Sequence, residues 1–335
     1  MIEPQDDFTH PVPVQAFMTW KENWVFPAVD RDQGLAALFH FSLRPQQGEG
    51  IFTAKFHLQG SQVRHVSRSP IPAQLEGLHP IEDDHVRLEI VEPGQVFRLT
   101  YHGDEIDADL TYRARFPAFD FADGPKPQGV SAVGPIGLSV FPFNHYEQSL
   151  LATGSITGRA GEFEGRRFDF SGYGNRDHSW GWRDDFQFRH HHWICASFDD
   201  RYVQGSVMLE SSFPDEKHGG FISTADGNVP VAHVDTSQAY WMAPGEPIGE
   251  LRDDVTYRIR TVEGDVHTVT ARLEEDHGRL YLNARSPDRS RLYMDVQTFC
   301  DFQLAETGQV GAGVLEVGKY LEGPGIADRH GSPPR

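Results

Sequence analysis

The sequence predicts an all-β protein, and three observations lead there. Apolar residues alternate with period two over short runs, Gly, Pro, Asp and Asn separate those runs, and no segment carries a sustained helical stripe. The composition agrees: 33 Gly and 22 Pro supply turns, while 12% aromatic residues, with 23 Phe, supply a large core rather than a disordered chain.

Taken in order, 36–43 (AALFHFSL) and 51–58 (IFTAKFHL) alternate clearly, with 45–50 as the hairpin loop between them. Runs 85–91, 96–101 and 106–116 continue the series. Segment 116–137, rich in Pro, Gly and Phe, interrupts it and is expected to pack as a loop across a barrel mouth. The stretch 144–152 (NHYEQSLLA) reads either as a short helix or as a strand. Residues 161–172 look like a hairpin opening a second series: 186–198, 202–209, 229–236, 255–262, 267–273, 279–284, 291–299 and 313–320. Sandwiches or barrels are the architectures such a pattern builds. Two series of similar length imply two β-domains, 1–160 and 161–325, followed by a flexible tail, 326–335.

Charge narrows the function. The 49 Asp and Glu against 30 Lys and Arg leave a formal charge of −19, which repels nucleic acid and anionic membrane surfaces. No basic and apolar leader opens the chain, and no run approaches the roughly 18 apolar residues of a membrane helix, so a cytoplasmic protein without membrane insertion is expected. Cys195 and Cys300 allow one disulfide at most. No GxGxxG, GxxxxGK[ST] or GxSxG motif occurs, so the expectation is an activity without cofactor.

The chemistry concentrates in 172–198, GYGNRDHSWGWRDDFQFRHHHWICASF, which holds four of the 17 histidines and three of the six tryptophans. Arg176, Asp177, Arg183, Asp184 and Asp185 are able to form a closed ion-pair lattice, whose plain reading is a polar hinge between two barrels. The catalytic reading starts from spacing: His178 and Trp180, two apart on an extended chain, share a face, and Asp177 faces the other way unless the chain turns at Gly181. A histidine beside an indole and near carboxylates suits a general acid. His190, His191 and His192 invite a metal reading, with His190 and His192 on one face and His178 as a third ligand; against it, no further ligand sits at a diagnostic spacing, and the site is read as metal-free. In His145–Gln148, Tyr146 or Glu147 is a candidate pocket group, and Glu316, in an apolar strand, is expected to bridge to Arg176, Arg183 or a histidine, an arginine being favoured.

The run Gly172-Tyr-Gly-Asn-Arg-Asp-His-Ser-Trp-Gly181 resembles the Gly-x-Gly-x-x-Asp-His-x-Trp-Gly signature of the carotenoid 1,2-hydratase (hydroxyneurosporene synthase) superfamily, which includes AttH-like proteins and fungal lipocalin-like Diels–Alderases. His145-Tyr-Glu-Gln-Ser149 and Gly313-Val-Leu-Glu316 look like flanking patches of a bacterial branch of it. The resemblance implies two lipocalin-like barrels in tandem, with the signature opening the second. It also implies that His178 and Trp180 take part in protonating an alkene. The superfamily's downstream Tyr-x-Asp has no counterpart here; Asp199, Asp200 and Tyr202 occur in the reverse order.

The reading that combines these features is a cofactor-independent hydratase or dehydratase, isomerase or cyclase acting on a hydrophobic small molecule such as a terpenoid, steroid or polycyclic compound. His178 is its acid/base, oriented by Asp177 or Asp185, with Trp180 and Trp193 lining an apolar pocket. Arg176, Arg183, His190, His192, Tyr146 and Glu316 complete the expected substrate contacts. The alternative is a non-catalytic lipid or isoprenoid carrier. A homodimer is compatible with either.

Overall fold

The computed structural model describes residues 2–13, 20–125, 144–182, 186, 188–210, 215–237, 254–286 and 288–324. The protein is all-β, as the alternation pattern implies, with two lipocalin-like antiparallel domains in tandem, as the family resemblance implies.

The first eleven strands are β1 (Trp20–Asp30), β2 (Leu35–Arg44), β3 (Glu49–Leu58), β4 (Ser61–Pro70), β5 (Ile81–Glu82), β6 (Val86–Glu92), β7 (Val96–His102), β8 (Ile106–Ala114), β9 (Phe119–Asp120), β10 (Asn144–Gly158) and β11 (Arg167–Trp182). They form one sheet in the order β4-β3-β2-β1-β11-β10-β8-β7-β6-β5, with β9 paired to β10. The remaining strands are β12 (Phe188–Ser197), β13 (Tyr202–Glu210), β14 (Lys217–Thr224), β15 (Gly227–Thr236), β16 (Val255–Thr261), β17 (Val266–Arg285), β18 (Arg291–Leu304) and β19 (Val310–Glu322). These close into an eight-stranded barrel in sequence order. Its interior is filled by Ile194, Ala196, Phe198, Val203, Tyr257, Phe302 and Leu315 among others, as the narrow bore of an eight-stranded barrel requires.

Of the two readings open for segment 144–152, strand holds: it forms the first part of β10, between β11 and β8. Other expectations need correction. The runs 267–273 and 279–284 belong to one strand, β17, whose register to β18 shifts around Asp276, next to Gly278 at φ 136°. That bulge makes the polar stretch Glu274–His277 look like a turn in the sequence. The division at 160/161 and the placement of the signature in the second domain also fail. β11, which carries the signature, pairs with β1 and β10 in the first sheet. The described parts of Met1–Asp123 and Gly129–Arg183, with Ser223–Asn228, form one compact unit, and those of Gly124–Gln128, Asp184–Ile222 and Val229–Arg335 form the other. Most of the expected mouth loop lies outside the described residues; of its described part, Phe119 and Phe121 are buried and Phe121 stacks on His145.

Cys195 and Cys300 are both free and buried. No helix among the described residues is long and apolar enough to cross a membrane.

Candidate functional site

Three adjacent strands of the first sheet bring one set of side chains to one face. In β11, Arg176, His178 and Trp180 alternate with Asn175, Asp177 and Ser179. His178 lies opposite Tyr146 of β10 and Trp24 of β1, Arg176 opposite Gln148, and Trp180 opposite Glu22; such cross-strand partners share a face. Gly172 of the signature serves this pairing: a Cβ there would collide with the Val29 carbonyl of β1.

His178 is 0% exposed and held at both ring nitrogens: Nε2 is 3.2 Å from Glu22 Oε1 and Nδ1 is 3.0 Å from the Tyr146 hydroxyl. Its ring stacks on Trp24, centroids 4.3 Å apart, with Trp180 tilted beside it at 4.9 Å. The N-terminal segment closes over this face. Asp7 Oδ1 lies 2.5 Å from the Tyr146 hydroxyl and forms a buried ion pair with Arg176, while the Gly94 N–H donates to its other oxygen. Arg176 Nη1 donates to the Tyr146 oxygen at 3.1 Å and Nε to Gln148 Oε1 at 2.8 Å, its guanidinium lying 4.3 Å from the Phe97 ring centroid. His10 completes the set: its N–H donates to both Glu22 oxygens, its Nδ1 is 2.6 Å from Glu22 Oε1, and its ring stacks on Trp180 at 3.8 Å. His10 is 16% exposed, so the constellation reaches solvent at the His10–Trp180 end.

The electrostatics follow from burial. Burial pushes the Asp7 carboxyl up, but the Arg176 guanidinium and the donors around it together hold it below the usual carboxylate range. Glu22 is likewise pushed up by burial and brought below its ordinary value by His10 and His178. For His178, burial outweighs the attraction of Glu22 and lowers its basicity, so the ring is neutral near pH 7. A neutral ring puts its one N–H on Nε2, facing the carboxylate of Glu22, and leaves a lone pair on Nδ1. The Tyr146 hydroxyl then has one proton and three acceptors, His178 Nδ1, Asp7 Oδ1 and the Asp6 carbonyl oxygen at 3.1 Å. Protonating His178 at Nδ1 resolves that competition, because Nδ1–H donates to the Tyr146 oxygen and Tyr146 donates to Asp7.

Of the residues singled out in the sequence, His178, Trp180, Tyr146 and Arg176 meet here. Asp177 does not: it lies on the opposite face of β11, 3.1 Å from His145, and the carboxylate beside His178 is Glu22. Arg176 pairs with Asp7, an acid outside the expected lattice. Arg183, Asp184 and Asp185 lie outside the described residues. His190, His192, Trp193 and Glu316 belong to the second barrel and not to the constellation around His178. His192 faces inward with Nδ1 2.8 Å from the Tyr257 hydroxyl, and burial, with the neighbouring histidines, lowers its pKa to about 3. His190 is 3.6 Å from Glu216 and lowered to about 4, chiefly by burial. Among the described residues, Glu316 meets His191 and Gln297 rather than an arginine.

Asp7, His10, Glu22 and Trp24 were missed. Trp20, Glu22 and Trp24 at spacing two put a carboxylate between indoles on one strand face, a signal of the same kind as His178 and Trp180. Nothing local marks Asp7 or His10.

Among the described residues, three groups bring histidine and carboxylate donor atoms within 4.8 Å of one another: His10, Glu22 and His178; His145, Glu147 and Asp177; and His191, Asp295 and Glu316. The arrangement of His190, His192 and His178 considered from sequence is not among them.

The family described as a domain of unknown function, DUF7064, matches residues 3–320. The chain belongs to the DUF7064 family. No curated protein matches the sequence. Among solved structures, an AttH candidate from Nitrosomonas europaea is 14% identical, with TM-score 0.60 over 96% of this chain and 97% of that one. CghA is 12% identical, with TM-score 0.59 over 92% and 89% of the two chains. Kievitone hydratase from Nectria haematococca is 10% identical, with TM-score 0.55 over 89% and 88%. The expected likeness of this DUF7064 member to AttH-like proteins therefore holds, as a likeness of fold.

Proposed function

We propose that this DUF7064 chain is an acid–base enzyme that hydrates or dehydrates, isomerises or cyclises a hydrophobic small molecule without a cofactor. One observation carries the reading: the buried Tyr146 hydroxyl lies within hydrogen-bond distance of both His178 Nδ1 and Asp7 Oδ1. A proton gained at Nδ1 turns that nitrogen from acceptor to donor toward the Tyr146 oxygen, and burial, which disfavours the charged ring, makes the protonated His178 a ready proton donor. Glu22 touches both His178 and the more exposed His10 through the same oxygen, which gives protons a route between the surface and the buried ring. Trp24, Trp180 and Phe97 wall the site with apolar rings, and an indole face favours a substrate carbon gaining positive charge. Hydration needs a proton placed on one alkene carbon and one taken back from the water that adds at the other, so a group that gains and loses one proton closes the cycle. Kievitone hydratase, similar in fold, supports the reaction class by its name.

The test is turnover of a panel of apolar alkenes, tertiary alcohols and ring ketones in deuterated water, followed by mass spectrometry. The parent is expected to add deuterium or water to one class, and His178→Gln and Tyr146→Phe to lose at least tenfold in rate. Parental rates in both folded variants would overturn the assignment of these residues. A co-purifying lipid released unchanged, with no turnover on the panel, would establish a carrier instead.

A further inference from the structure

The second barrel carries a separate cluster on its outer face. Ile194, Ala196, Leu315 and Val317 point into the barrel core, so the residues between them, including Trp193 and Glu316, point outward, as do His191 and Gly318 by the same alternation. Cross-strand register puts His191 of β12 and Asp295 of β18 on either side of Gly318 of β19, and Gln297 opposite Glu316. Gly318 is required: a Cβ there would collide with the His191 ring and the Tyr293 hydroxyl.

We propose that His191, Asp295 and Glu316 form a binding site for a divalent transition-metal ion, Zn²⁺ being the best match, with the Gln297 amide oxygen as a further donor. The three donor atoms come from three neighbouring strands and lie within 4.8 Å of one another. His191 is already held from behind in the manner of a metal site, since the Tyr293 hydroxyl bonds its Nδ1 and leaves Nε2 aimed inward at Glu316 Oε1. Those two inward atoms are 2.7 Å apart. Ligands on a tetrahedral zinc at about 2.0–2.1 Å sit roughly 3.3 Å from each other, so a movement of roughly 0.6 Å admits the ion.

An independent observation comes from Gln297. Its side chain is 1% exposed, and its Oε1 is buried without a hydrogen-bond partner. A buried amide oxygen without a donor is destabilising. Rotating the amide by half a turn brings that oxygen beside Glu316, where two oxygens become favourable neighbours once a cation lies between them. His191 and Glu316 are each 14% exposed, which leaves an approach for a hydrated ion. One imidazole nitrogen with carboxylate and amide oxygens suits zinc or manganese better than soft copper(I), and zinc binds such donors more tightly than manganese.

The experiment uses the full chain, dialysed against a chelator and titrated with Zn²⁺ by calorimetry, with bound metal counted by elemental mass spectrometry. The parent is expected to hold one tight equivalent. Asp295→Asn and Glu316→Gln should remove it or weaken it at least tenfold, and Gln297→Leu should weaken it about 10–100-fold. His10→Gln and His145→Gln, which alter the other two clusters, should keep it. The proposal is overturned when the parent binds no equivalent, when the equivalent survives in both Asp295→Asn and Glu316→Gln, or when only His10→Gln or His145→Gln removes it. Circular dichroism confirms folding of each variant, and if Glu316→Gln does not fold, the near-isosteric Asp295→Asn decides alone. Zinc retention does not depend on any turnover at His178, so the two proposals stand or fall separately.

Discussion

Replacing Arg176 by Met tests the buried charge arrangement most directly. Arg176 and Asp7 are buried to within 1% and 2% of complete exclusion and form an ion pair. Arg176→Met keeps an unbranched apolar chain against Phe97 but leaves Asp7 as an isolated buried carboxylate. Breaking one side of such a pair costs about 3–5 kcal/mol, a large part of the usual stability of roughly 5–15 kcal/mol. With a urea slope of about 2 kcal/mol per molar, the midpoint falls by about 1.5–2.5 M. Tryptophan fluorescence is a suitable signal, because Trp24 and Trp180 flank the site.

Two further arms separate charge from packing. Asp7→Asn combined with Arg176→Met removes both charges and should be more stable than Arg176→Met alone by about 2 kcal/mol, since no lone carboxylate remains. The pH arm follows from the sign of the shift. In the parent, Asp7 lies below its ordinary value, so its contribution is present at neutral pH and is lost only as pH falls through that lowered value. In Arg176→Met, burial acts without the guanidinium and raises Asp7, so its penalty disappears as the carboxyl protonates. The gap between variant and parent should therefore narrow below about pH 5. A double variant no more stable than the single one, with a gap that ignores pH, would refute the reasoning.

Other outcomes follow from the same structure. His192 is lowered to about 3 because the barrel interior disfavours its charged form, so its neutral ring stabilises the fold above the unfolded value near 6.5 and progressively less below it; His192→Leu should flatten the fall of the melting temperature between about pH 6 and 4. Gly172→Ala should cost about 2–3 kcal/mol in urea unfolding, because its Cβ meets the Val29 carbonyl and must part β11 from β1; an unchanged midpoint would show that the strands separate freely. Cys195 and Cys300 are fully buried, and burial with Asp276 and Asp301 pushes the Cys300 thiol up, so neither should react with a thiol reagent until urea unfolds the chain.

Strands were legible wherever one face is wet or the run is regular: 36–43 and 51–58 became β2 and β3 with nearly the expected limits. β1 escaped notice because it is buried on both faces and contains Pro27, so it shows no alternation. The long strand β17 looked like two because its bulge is built of acidic residues and glycine. In the site, the shared face of His178 and Trp180 was legible because side chains alternate along any strand, and that rule also placed Asp177 on the far side.

The residue pattern along the chain is enough for the all-β architecture, for the shared face of His178 and Trp180, and for the faces on which the strand residues point. All of these rest on period-two alternation, which is a local property of an extended backbone. Tertiary structure alone decided which sheet the signature strand joins and which acids meet its basic groups. Arg176 finds Asp7 across 169 positions and His178 finds Glu22 across 156, contacts created by strand pairing and by the fold of the N-terminal segment over the sheet. Spacing along the chain carries no record of such neighbours, because the geometry that joins them arises only when distant strands share hydrogen bonds.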